Sequence, residues 1–66
     1  MENEKALKVI RDQMQAVEII LHELRESFDQ CDSNNPYQQA LVAQQISLVA
    51  AKLDNLKHLY KILGGI

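Results

Sequence analysis

The sequence predicts an all-α fold: an antiparallel two-helix hairpin of coiled-coil type, completed by self-association or by a partner. Three observations point there. Two stretches of similar length each carry an unbroken apolar stripe in steps of three and four residues, the spacing of one helix face. A run of turn and cap formers, Gln-Cys-Asp-Ser-Asn-Asn at 30–35, lies between them. Start and stop signals bracket the second stretch. The expected organisation is one hairpin: a helix at about residues 4–29, a turn at about 30–35 and a helix at about 36–63.

The first stripe is Leu7, Ile10, Met14, Val17, Leu21, Leu24 and Phe28, an a/d seam. Val9, Ala16, Ile19 and Ile20 are expected to widen it in the middle. Asn3 is placed to cap a helix opening at Glu4, with Glu2 and Glu4 suited to the positive end of the helix dipole. The opposite face carries Lys5, Lys8, Arg11, Asp12, Glu18, Glu23, Arg25 and Glu26, read as a solvated face. Glu4–Lys8, Lys8–Asp12 and Arg25–Asp29 are candidate i, i+4 pairs, each worth about 0.2–0.5 kcal/mol.

The second stripe is Val42, Ile46, Val49, Leu53, Leu56, Tyr60 and Leu63. Asn35 and Pro36 form an N-cap followed by the residue best tolerated at the first helical position. Gln38 stands three residues after Asn35, so a capping box is available. Gly64 and Gly65 offer a left-handed stop. No glycine or proline interrupts either stripe, and a connection this short makes the two helices antiparallel neighbours.

A chain of 66 residues has little core to bury and needs a staple. Cys31 is the single cysteine, so no disulfide forms within the chain, and no Cys/His cluster suggests a metal. Association is the remaining device. The net charge of −2 argues against a binder of nucleic-acid phosphates. No apolar run approaches the roughly 18 residues of a membrane span, and the first residues lack the order of a signal peptide, so a cytoplasmic location is expected.

Charge in the second helix is uneven. Between Ser33 and Ala51 no residue is charged, and Gln38, Gln39, Gln44 and Gln45 supply the polarity. Beside the main stripe runs a second, shallower strip: Leu41, Leu48, Leu59 and Ile62, with Ala51 near it. Small and apolar residues without charge are what the centre of an interface looks like. These five are the expected partner-binding residues. The alternative is a helix buried more deeply in one bundle, and both readings demand a partner. Beyond Ala51, Lys52, Lys57, His58 and Lys61 complement the negative end of the helix dipole.

Residues suited to chemistry are few. His22 has Glu18 and Glu26 four residues away on either side, and His58 has Asp54, so both are read as members of helix-surface pairs. Cys31 sits between Asp29 and Asp32 rather than beside the basic groups that activate a thiol, and is read as inert. Tyr60 lies on the stripe. No phosphate-binding loop or nucleophile motif is present, and the expectation is a protein that is not an enzyme and needs no cofactor.

In length and layout the chain resembles the small co-chaperones of type III secretion needle subunits. Pro36-Tyr37-Gln38-Gln39 is similar to the polar Tyr-Gln segment that opens their second helix. The resemblance implies a bacterial cytoplasmic adaptor that binds a helical-repeat chaperone and keeps the needle subunit from polymerising, with no catalytic residue. The stretch from Ala50 to Tyr60 is also similar to the small aspartyl-phosphate phosphatases that act on response regulators. It keeps their Leu-Asp as Leu53-Asp54, with Leu56 and Tyr60, and has Ala50, Ala51 and Lys52 in place of Ser, Gln and Glu. That likeness implies Asp54 orienting water on a phospho-aspartate. A likeness in architecture alone extends to RNA-binding hairpins that dimerise into four-helix bundles, against which the acidic balance counts.

Overall fold

The computed structural model describes the backbone of residues 2–65 and the side chains of residues 3–65. It is a two-helix hairpin. Helix α1 spans Glu2–Gln30 and helix α2 spans Pro36–Ile62. The molecule is a rod, with Cα extents of 53 × 15 × 14 Å.

The opening of α1 corrects one expectation. Asn3 is not the cap: the helix already includes Glu2, so Asn3 lies within its first turn. Helix boundaries are decided by one or two exposed residues, where either arrangement leaves the free amides to water.

The turn is held by local hydrogen bonds. The Cys31 amide donates to the Phe28 carbonyl at 3.1 Å, and the Asn35 amide donates to the Asp32 carbonyl at 2.9 Å. The Asp32 carboxylate accepts from the Asn34 amide at 2.9 Å, an Asx turn. Asn35 caps α2 as expected, its Oδ1 accepting from the Gln38 amide at 3.2 Å. The capping box is only half made. Gln38 Oε1 accepts from the side-chain Nδ2 of Asn35 at 3.4 Å, because the Asn35 backbone amide is already engaged by Asp32.

Helix α2 ends in a Schellman motif. The Gly65 amide donates to the Tyr60 carbonyl at 2.8 Å, and the Gly64 amide donates to the Lys61 carbonyl at 3.1 Å. Gly64 carries the required positive φ of 98°.

The two stripes face each other. Val17 and Leu21 of α1 and Leu53 and Leu56 of α2 are buried, and Ile10, Met14, Ile46, Val49 and Ala50 pack around them. No described side chain is completely excluded from solvent. The total accessible surface is 5290 Å². A compact monomer of 7.5 kDa would expose about 4,200 Å². The hairpin therefore exposes about 1,000 Å² more than a compact chain of its mass.

Candidate interaction surface

The seam divides the hairpin into two flanks, and the residues next to the seam report which flank is which. Two open grooves, of about 460 and 280 Å³, run along one side of the contact between the helices. Apart from seam residues, they are lined by Glu18, His22 and Arg25 from α1 and by Ala50, Asp54, Lys57 and Lys61 from α2. Each of these follows a seam residue by one position: Val17, Leu21, Leu24, Val49, Leu53, Leu56 and Tyr60. Residues that precede a seam residue by one must then lie on the other flank, because one step is 100° around a helix. Those include Val9, Ala16 and Ile20 on α1 and Leu41, Leu48, Leu59 and Ile62 on α2.

The hairpin is thus amphipathic across its width as well as between core and surface. The groove side is polar apart from Ala43 and Ala50: Lys8, Arg11, Glu18, His22, Arg25 and Asp29 follow the seam of α1, and Asp54, Lys57 and Lys61 follow that of α2. The other flank is apolar apart from Gln13, Glu23 and Ser27 on α1 and Gln45, Lys52 and Asn55 on α2. Its large side chains are exposed, with Leu48 at 64% and Ile62 at 65% of their full accessibility and Val9 at 54%.

Four of the five expected partner-binding residues, Leu41, Leu48, Leu59 and Ile62, fall together on this flank. The fifth, Ala51, lies off it: it is two positions past the seam residue Val49 and sits on the outer back of α2, exposed. Val9, Ala16, Ile19 and Ile20 do not widen the seam; all four are exposed. Val9, Ala16 and Ile20 belong to the apolar flank instead, and Ile19 to the outer back of α1. Those on the flank precede their seam positions by one, as the leucines of α2 do. The shared offset is visible in the sequence, but that it puts both sets on one side follows only from the antiparallel packing of the two helices.

The polar side offers an open groove rather than an enclosed pocket. Asp54 lines it together with His22, Arg25 and Lys57. His22 Nε2 pairs with Glu26 Oε1 at 2.7 Å, both largely exposed. The expected Asp54–His58 pair does not close, nor do Lys8–Asp12 and Arg25–Asp29. Exposed long side chains gain too little from such contacts to overcome the entropy of holding one geometry. Cys31 is half-buried at the turn. Among the described residues no group of three His, Cys, Asp or Glu is placed to hold a metal ion. No described helix is long and apolar enough to cross a membrane. No family model, curated protein or solved structure matches this chain.

Proposed function

We propose that the chain is a non-enzymatic interaction module whose apolar flank receives a helix of a protein partner. The exposed strip that both helices build, from Val9 and Ile62 at one end to Leu48 and Leu41 at the other, supports this reading. A helix with its own apolar stripe is the complementary shape, since side chains from two parallel ridges leave a long groove for a third. The partner contacts Leu41, Leu48, Leu59 and Ile62, joined by Val9 and Ile20. The finer proposal is a cytoplasmic bacterial co-chaperone of the type III secretion needle kind. The layout of two helices and a short polar turn favours it, as does Tyr37, which stands 75% exposed at the start of α2.

A second reading rests on Asp54. Its place in a groove with Arg25 and Lys57, which also holds His22 and a second carboxylate, Glu18, gives an acidic group two cationic neighbours of the kind that hold a phosphoryl anion. Two assays separate the readings. Partner capture from the native host, repeated with the identified partner purified, is expected to fail for Leu48→Asp and to survive Asp54→Ala. Phosphate release from a phospho-aspartate receiver domain, lost in Asp54→Ala, would favour the second reading and sink the first if Leu48→Asp still bound fully.

A further inference from the structure

We infer that in the free chain the apolar flank is covered by a second copy of the same chain, in a two-fold dimer whose axis runs parallel to the hairpin's long axis. The inference rests on reading that flank as a docking surface and adds its occupant.

Two observations carry it. The first is area. The hairpin exposes about 1,000 Å² beyond what a compact chain of its mass exposes, and a stable interface removes about 800 Å² from each partner. Pairing two apolar flanks face to face uses the surplus where the exposed leucines and isoleucines are concentrated. No extra segment or ligand is needed for that balance.

The second is charge. Among the described side chains, the apolar flank carries one acidic and one basic residue, Glu23 on α1 and Lys52 on α2. The antiparallel register that brings Leu21 beside Leu53 sets these two at nearly the same height. Neither is held in an ion pair with another described residue of its own chain. A two-fold axis along the hairpin lays each α1 against the α2 of the second copy, antiparallel and level. Glu23 then meets Lys52 of the second copy, and the symmetry makes the contact twice. At the open end of the hairpin, Val9 meets Ile62 of the second copy, and Ala16 meets its Leu59. A two-fold axis crossing the hairpin at the height of these residues would instead set Glu23 against its own copy and Lys52 against its own, a like-charge arrangement that interfaces avoid. The product is a four-helix bundle in which every helix has antiparallel neighbours, with the polar grooves left facing solvent.

The test uses sedimentation equilibrium on the full chain at micromolar concentration, with circular dichroism to check that each variant stays helical. The wild type is expected as a dimer. Glu23→Lys and Lys52→Glu, made separately, should each weaken dimerisation about tenfold or more, because each homodimer then holds two like-charge contacts. Mixing the two variants should restore it, and the heterodimer should dominate. One of its two contacts then keeps the native charges and the other has them exchanged, so both are attractive. Leu59→Asp should yield a helical monomer. A dimer in which mixing brings no recovery overturns the arrangement proposed. A wild-type monomer overturns the pairing while leaving the docking reading to partner capture with Leu48→Asp. A dimer that Leu59→Asp leaves intact overturns both the pairing and the flank as a docking surface.

Discussion

The ring of Tyr60 lies directly against the backbone of Gly65, where a Cβ would need to sit. The contact closes the Schellman motif: the carbonyl of Tyr60 accepts from the Gly65 amide while its side chain covers the same residue. The two glycines of this end are therefore required for different reasons. Gly64 adopts a positive φ with open space around it, and Gly65 gives room to a ring.

Those reasons predict different mutational behaviour. Gly64→Ala is expected to cost about 1–2 kcal/mol through backbone strain, whatever stands at position 60. The cost of Gly65→Ala is expected to shrink when Tyr60 is also truncated, because residues in contact are coupled. Urea unfolding of the single and double variants gives both values. Additive behaviour of the 60/65 pair would show that the ring does not hold the chain end.

The N-terminal end of the same helix is closed by the side chain of Asn35, which bonds both the amide and the side chain of Gln38. Asn35→Ala removes the acceptor for the Gln38 amide and should destabilise the hairpin by about 0.5–2 kcal/mol. Asn35→Ser keeps an acceptor and should recover most of that loss. A change near zero for the alanine variant would place the start of α2 elsewhere.

Adjacent positions in the middle of α2 should differ sharply. Leu53 is one of four side chains buried among the described residues, and Leu53→Ala is expected to cost about 2–5 kcal/mol, enough to unfold much of a hairpin this small. Asp54 is exposed and forms no ion pair with a described residue, so Asp54→Ala should stay within about 0.5 kcal/mol of the parent. Thermal unfolding by circular dichroism reads both. Equal effects at the two positions would contradict the orientation of α2.

Exchange experiments should find the most protected amides around Val17, Leu21, Leu53 and Leu56, with protection falling toward both ends of the rod. Stability is local where few apolar contacts support the backbone, and the contacts here are concentrated at mid-length. Uniform protection along both helices in the dimer range of concentration, lost on dilution, would report the added cover of a second chain.

Much of the hairpin is legible in residue order alone. The stripes from Leu7 to Phe28 and from Val42 to Leu63 are periodic, and periodicity is a property of one helix that needs no neighbour to be seen. The cap at Asn35 and the glycine stop at Gly64 are legible for the same reason, since the bonds that satisfy a helix end come from residues within a turn of it. Asn3 departs from its expected role because a helix start with no buried contact is set by small differences among exposed amides.

What the sequence by itself determined is the pair of amphipathic helices, the turn between them and the exposure of Leu41, Leu48, Leu59 and Ile62. What only the tertiary structure decided is which flank each off-seam residue joins. Val9, Ala16 and Ile20 look, along α1 alone, like a broadening of its apolar face. Once α2 packs antiparallel along the seam, a contact narrower than that apolar arc must leave part of it in water. The residues left out on α1 and those left out on α2 then fall on one common side. A relation between faces of two helices depends on their register and on the direction in which the chain returns, and neither is a property of either helix by itself.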